Sequence, residues 1–141
     1  MKQIFMDTNV VIDFLADRQP FSLDAAKLFN MSIEGRIKIH ISAVSYNNIY
    51  YVLRQSLTNN ATIKLLENLA DITDIADVSN QVIRQSLKAD FKDYEDAIQY
   101  YSALTVPNID FIVTRNTKDF KKSSLSVLTP TEAIALLSSE V

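Results

Sequence analysis

The spacing of the apolar residues restricts the fold of this chain more than any other feature of its sequence. Short apolar runs alternate with longer stretches in which apolar residues recur at helical spacing. The short runs are typical of strands buried on both faces of a parallel sheet, and the longer stretches are typical of the helices that cover such a sheet. The sequence therefore predicts an α/β fold of βα units around a central, mainly parallel sheet.

Five of the short runs are predicted to be strands. They are residues 4–6, 37–41, 72–78, 111–114 and 126–128. The chain has 141 residues and contains no internal repeat, low-complexity tract or linker. This length suits one domain with a real hydrophobic core, and we expect a single domain over residues 1–141.

Residue types at three helix ends predict where those helices begin or stop. Ser22 is expected to be the N-cap of the second helix, and Gly35 suits the position after that helix because glycine tolerates a positive φ. Thr129, Pro130 and Glu132 have the spacing of a capping box with proline at the first helical position. A C-terminal helix is predicted to follow them.

Residue types that are rare or missing exclude several kinds of active site. The chain has no cysteine, which excludes disulfides, thiolate nucleophiles and cysteine-ligated metals. His40 is the only histidine and stands in an apolar run, where an ordinary strand residue is expected. Gly35 is the only glycine, so neither a phosphate-binding P-loop nor a dinucleotide-binding fingerprint is present.

The charge and hydropathy of the chain exclude some kinds of binding partner and some cellular locations. A formal net charge of -3 argues against a protein that coats nucleic acid through a broad basic surface. It does not argue against a nuclease, whose active site needs carboxylates and bound cations. Asp7 interrupts the first apolar run too early for a signal peptide, and no run approaches the roughly 20 residues of a membrane span. We expect a cytoplasmic protein with no membrane partner.

Polar residues follow three of the predicted strands directly. Residues 7–9 follow the first strand, residues 42–48 the second and residues 114–119 the fourth. Ligands of parallel sheets bind at the carboxyl ends of the strands, so these segments are the first candidates for a functional site.

An acidic group at residues 93–96 opens one of the predicted helices. Asp93 and Asp96 are three residues apart and share one helical face, whereas Glu95 points about 100° away from Asp96. Several carboxylates at one sheet edge raise one another's pKa unless a cation lies between them. Mg²⁺ and Mn²⁺ prefer oxygen ligands and activate water, so metal-assisted phosphodiester hydrolysis is the chemistry these residues support best.

Four segments resemble the sequence motifs of the PIN-domain family and occur in the family's order. They are FMDTNVVID at residues 5–13, ISAVS at 41–45, EDAI at 95–98 and IVTRNTKDF at 112–120. The resemblance implies a three-layer α/β/α fold with an acidic pocket that binds Mg²⁺ or Mn²⁺ and cleaves single-stranded RNA. Asp7, Asp96 and Asp119 match the metal-binding and catalytic acids of the family.

The resemblance also implies a biological role and partners. Many bacterial members of the family are the toxin of a toxin–antitoxin pair, so an antitoxin protein is expected as a partner. Toxins of this kind form dimers, and the tyrosine-bearing helix at residues 45–57 offers contact area for a homodimer.

The sequence departs from the family pattern at two positions. PIN nucleases commonly place a glutamate in the helix after the second strand, where this chain has Asn48. Either Asp93 supplies the missing charge as a further metal ligand, or the site binds metal more weakly. Asn116 stands where many relatives have an acid, which leaves Asp119 as the acid of that loop. Candidates for a supporting or substrate-positioning role are Asn9, Asn48, Thr114, Arg115 and Asn116.

Each candidate also has a structural alternative. Asp7 and Asp93 are well placed to cap helices, and Glu95 and Asp13 are expected to be solvated helix charges.

A phosphatase of the haloacid-dehalogenase type would need a second aspartate where this chain has Asn9. A PIN-like binding module with weak or no catalysis remains an alternative because Asn48 carries no charge.

Overall fold

A computed structural model describes residues 1–139 of the chain. Within this range the chain forms five β-strands, seven α-helices and one short 3₁₀-helix. The strands are β1 (Lys2–Met6), β2 (Ile37–Ser42), β3 (Asp74–Ala76), β4 (Phe111–Val113) and β5 (Ser126–Leu128). The α-helices are α1 (Thr8–Leu15), α2 (Ser22–Ile33), α3 (Ala43–Leu53), α4 (Asn59–Ile72), α5 (Asn80–Lys88), α6 (Tyr94–Leu104) and α7 (Pro130–Ser138), and the 3₁₀-helix is Thr117–Phe120.

The described strands form one parallel sheet in the order β3-β2-β1-β4-β5. The chain adds strands on one side of β1 as far as β3 and then crosses to the other side to form β4. The boundary between β1 and β4 is therefore the switch point of the sheet, where ligands of parallel sheets bind. Met6 pairs with Val113 at this boundary, so the residues after β1 and β4 emerge side by side.

The hydrophobic core occupies both faces of the sheet because consecutive side chains of a strand point to opposite faces. Ile4 and Met6 of β1 lie in a large cluster with buried residues of α1, α2, α3, α4 and α7. Phe5 lies in a smaller cluster on the other face, with Tyr100 of α6 and Phe120 of the 3₁₀-helix. Helices thus cover both faces, and the predicted three-layer α/β/α architecture is confirmed.

Several predicted boundaries are confirmed and two are wrong. Gly35 has a φ of 78° after the end of α2, and the capping box at Thr129 and Glu132 is present. The third strand is shorter than predicted because α4 continues to Ile72. Ser22 is the first residue of α2 instead of its N-cap, and its hydroxyl accepts a hydrogen bond from Gln19 Nε2 at 3.1 Å.

None of the helices within residues 1–139 combines the length and the apolar character that crossing a membrane requires.

Candidate functional site

Asp7 stands at the carboxyl end of β1 and is held by three hydrogen bonds. Its Oδ1 accepts from the Thr8 backbone N–H at 2.8 Å, which caps α1. Its Oδ2 accepts from Thr114 Oγ1 at 2.8 Å and from Asn9 Nδ2 at 3.3 Å. Asp7 is only 7% exposed. The predicted capping role of Asp7 is therefore present, and it fixes the carboxylate at the switch point of the sheet.

The segment after β4 is tied to the segment after β1 by further polar contacts. The backbone N–H of Arg115 donates to Asn9 Oδ1 at 3.4 Å, and that of Asn116 donates to Thr114 Oγ1 at 3.1 Å. Asp119 follows in the 3₁₀-helix, where its backbone N–H donates to the Asn116 carbonyl at 3.0 Å and its side chain is exposed. The strand-end rule thus correctly brings the first and fourth strand ends together.

A third part of the site is the start of α6. Asp93 is the N-cap, and its Oδ1 accepts from the Glu95 backbone N–H at 2.8 Å. Glu95 reaches across to α3, where its Oε1 accepts from Asn48 Nδ2 at 2.9 Å. Asp96 lies one residue further along the helix and is partly buried.

A buried polar contact beneath these residues fixes the relative positions of three helices. Thr8 Oγ1 and Ser45 Oγ are 2.7 Å apart, and Gln99 Nε2 donates to Ser45 Oγ at 3.0 Å. Thr8 opens α1, Ser45 lies in α3 and Gln99 lies in α6. This contact joins the helices that carry or follow Asp7, Asn48 and Asp96.

The carboxylates of the site act on one another electrostatically. Burial raises the pKa of Asp7 to about 6 against the opposing hydrogen bonds from Thr114 and Thr8, and the charges of Glu95 and Asp119 raise it further. Burial also raises the pKa of Asp96 to about 7, with added contributions from Asp119, Asp7, Asp93 and Glu95. Strongly raised carboxylate pKa values of this kind are characteristic of functional sites.

The donor chemistry of this cluster fits a hard divalent cation. Its groups are carboxylates, with the Asn48 amide and the Thr114 hydroxyl beside them, and such oxygens are what Mg²⁺ and Mn²⁺ prefer. As placed, no three acidic or histidine side chains of residues 1–139 converge tightly enough to hold one ion.

Glu95 is an exposed acid in the first turn of α6, as predicted, but it also acts electrostatically on the acidic cluster, which we did not predict from the sequence. The charge of Glu95 raises the pKa of both Asp7 and Asp96. The charge of Asp93 raises the pKa of Asp96 but does not contribute to the shift of Asp7. Glu95 also contacts Asn48, the position where PIN nucleases commonly have glutamate. The sequence does contain a signal for this role of Glu95: position 48 holds an uncharged residue, and an additional acid stands next to Asp96.

Asp13 was predicted to be a helix-surface charge, and this prediction is wrong. Its side chain is 1% exposed and accepts from Arg18 Nε at 2.9 Å. Arg115 donates to the same carboxylate through Nε at 2.7 Å and through Nη2 at 3.3 Å. The guanidinium of Arg115 also lies 4.0 Å above the centre of the Phe21 ring. Arg115 is therefore held in one position at the edge of the site.

Comparison with known proteins finds a family match for most of the chain. The family model of the PIN domain matches residues 3–118. No match is found among curated proteins.

Solved structures with a similar fold include the following three complexes. VapBC2 from Rickettsia felis, bound to a promoter DNA fragment, is 17% identical with a TM-score of 0.65, covering 90% of this chain and 98% of the other. DNA-bound VapBC from Salmonella typhimurium is 15% identical with a TM-score of 0.66, covering 92% and 99%. A toxin–antitoxin complex from Klebsiella pneumoniae is 23% identical with a TM-score of 0.64, covering 90% and 97%. At these identities the likeness concerns the fold.

Proposed function

Because this chain belongs to the PIN-domain family, we propose that it is a metal-dependent endoribonuclease that cleaves single-stranded RNA. The observation that carries this proposal is the group of coupled carboxylates at the switch point of the sheet. The charge of Asp119 acts on Asp7 and on Asp96 there, and the charge of Asp7 acts on Asp96. The residues described around them offer neither a cysteine nor a histidine as an alternative nucleophile or base.

The residues of the proposed site would either bind the metal ion or orient the carboxylates that bind it. Asp7, Asp96, Asp119 and Glu95 would hold a divalent ion, which when bound would supply charge neutralisation at the phosphate and a more acidic water. Thr114 and the Thr8 N–H keep the Asp7 carboxylate in one orientation. Asn48 keeps Glu95 turned toward the site. Raised pKa values make Asp7 and Asp96 sensitive to the presence of a cation, since a cation favours their charged forms.

We further propose that the protein is the toxin of a toxin–antitoxin pair and associates with an antitoxin and with a second copy of itself. The similar fold of a toxin–antitoxin complex from Klebsiella pneumoniae supports this proposal. The exposed face of α3, where Tyr51 is 64% exposed, offers apolar contact area for such a partner.

The purified protein is expected to cleave a labelled single-stranded RNA in the presence of Mn²⁺ or Mg²⁺ and to stop when a chelator is added. Gel electrophoresis of the products measures this directly. The same RNA annealed to its complement serves as the control substrate. A protein that leaves the RNA intact and whose melting temperature does not respond to Mn²⁺ would instead be a PIN-fold binding module. That result is expected if no other acid replaces the negative charge that is missing at Asn48.

Glu95→Gln is expected to weaken Mn²⁺ binding about 10- to 100-fold, the range typical when a residue supporting a metal site is changed. The reason is that Glu95 supplies the charge next to Asn48 and acts on both Asp7 and Asp96. The shift of the melting temperature with increasing Mn²⁺ measures the affinity without any substrate.

Asp93→Asn is the matched control for this variant. It also removes one negative charge from the start of α6, and asparagine caps a helix about as well as aspartate. We expect a much smaller loss of Mn²⁺ affinity. Equal losses in the two variants, or a larger loss for Asp93→Asn, would show that Asp93 is the additional ligand and that the assignment of Glu95 is wrong.

A further inference from the structure

A cavity of about 450 Å³ lies next to the acidic cluster, between the starts of α2 and α7 and the loop after β4. This volume is in the range of sites that bind small organic molecules. The residues that line this cavity include Pro20, Phe21, Asp24, Arg115, Asn116 and Thr131. Asn116 links the cavity to the site, because its backbone N–H donates to Thr114 Oγ1, which in turn donates to Asp7.

One side of this cavity offers flat surfaces in a fixed position. Phe21 is 41% exposed, and the guanidinium of Arg115 lies over its ring. Asp13 fixes Arg115 through Nε and Nη2, while Nη1 has no hydrogen bond to any residue in the range 1–139. Aromatic rings and guanidinium planes are the surfaces on which unpaired RNA bases stack.

The opposite side of the cavity carries an acceptor. Asp24 Oδ2 accepts from Thr131 Oγ1 at 2.8 Å, which holds the carboxylate and leaves it further acceptor sites. Its negative charge makes this cavity unsuited to a phosphate group. The carboxylate instead suits a ring with neighbouring N–H donors, and the free Nη1 of Arg115 suits an acceptor on the same ring.

Guanine is the base that offers both patterns. Its O6 and N7 are acceptors, one of which can take a hydrogen bond from Arg115 Nη1, and its N1–H and N2–H₂ are donors for a carboxylate. Building on the proposed ribonuclease function, we propose that this cavity binds one unpaired guanine of the RNA substrate beside the scissile phosphate. The cavity thereby gives the cleavage site its sequence preference.

The first experiment uses nucleosides and needs no cleavage. Guanosine, uridine and inorganic phosphate are titrated separately into the isotope-labelled full chain in the presence of chelator, and the backbone amide signals are followed by NMR. Guanosine is expected to shift the signals of Phe21, Asn116 and Thr131, with much smaller changes from uridine and none from phosphate. Absence of a guanosine response at these residues, or an equal response to uridine, overturns the proposal.

The second experiment fills the cavity. Thr131→Trp places a large side chain on an exposed lining residue at the second position of α7. Gln81→Trp is the matched control, at the equally exposed second position of α5 and outside the lining. Thr131→Trp is expected to raise KM for a guanine-containing single-stranded RNA about tenfold, in line with the loss of one stacked base. Gln81→Trp should leave the KM for the same RNA unchanged.

These two experiments separate the present inference from the proposed function. If Mn²⁺-dependent cleavage is observed while Thr131→Trp and Gln81→Trp have equal KM values, the guanine site is wrong and the nuclease stands. If guanosine shifts the cavity signals but the protein cleaves no RNA, the guanine site stands and the nuclease proposal fails.

Discussion

Asp96→Asn is expected to lower the rate of RNA cleavage by about two orders of magnitude or more. A metal-bound carboxylate contributes to several kcal/mol of transition-state stabilisation, and each 1.36 kcal/mol corresponds to about a factor of ten in rate. Burial and the charges of Asp119, Asp7, Asp93 and Glu95 all raise the pKa of Asp96, which places its carboxylate among the other acids of the proposed site. Initial rates with labelled single-stranded RNA at saturating Mn²⁺ measure the effect. Cleavage at the parental rate would mean that the activity belongs to a contaminant or to another site.

The same variant tests the site without substrate, through the stability of the metal-free protein. The pKa of Asp96 is raised from 3.8 to about 7, so the folded state keeps this proton after the unfolded chain has lost it. This group therefore costs no stability below about pH 4, costs more as the pH rises toward 7 and costs its full amount above that. Asp96→Asn removes the cost, so in chelator it should melt higher than the parent at pH 8, and the difference should disappear near pH 4.

A purely structural role for Asp96 predicts a different result. An acid in the first turn of α6 interacts favourably with the helix dipole, so its removal would lower stability by about 0.3–1 kcal/mol at neutral and alkaline pH.

Adding Mn²⁺ at about a hundredfold excess over Kd should stabilise the parent by about 2.7 kcal/mol and the variant much less. Equal Mn²⁺ shifts for parent and variant would eliminate Asp96 as an important ligand.

The fold was predictable because its signals are local. Strand runs such as residues 4–6 and the alternation of Ile4, Phe5 and Met6 between two cores follow from apolar spacing alone. The positions of Asp7 and Thr114 also followed, because parallel strands place their carboxyl ends at one edge. Among the strands, β3 was clearly misjudged, since the apolar Ile72 continues α4 and a three-residue strand has little periodicity of its own.

The errors within the site concern contacts between residues that are far apart in sequence. Helical geometry correctly separates Glu95 from Asp96 on α6, but it contains no information about Asn48 on α3, which is 47 residues away and contacts Glu95. The partner of Asp13 is similarly distant, because Arg115 lies 102 residues further along the chain. A single sequence gives no distance between such pairs, so the contact of Glu95 with Asn48 was missed and Asp13 was wrongly taken for a solvated charge.

Asp13→Ala is expected to lower the free energy of unfolding by about 2–4 kcal/mol. The carboxylate is buried and accepts three hydrogen bonds from two arginines, and hydrogen bonds to charged groups contribute about 1.5–3 kcal/mol each. Removing one partner of a buried ion pair costs about 3–5 kcal/mol when the remaining charge cannot reach water. The side chains of Arg18 and Arg115 are 41% and 26% exposed, so partial hydration places our value toward the lower end of that range.

Urea unfolding of the parent, of Asp13→Ala and of a matched surface variant measures this cost. Asp71→Ala serves as that variant because Asp71 is an exposed aspartate near the end of α4, where its loss should change stability by no more than about 0.5 kcal/mol. The melting temperature of Asp13→Ala should fall by roughly 10 °C for a chain of this size. Because Asp13 is shielded from solvent, the cost should persist in 1 M salt, where an exposed pair would be screened. A loss below about 1 kcal/mol, or one that disappears in high salt, would show that the two arginines do not depend on this carboxylate for their position.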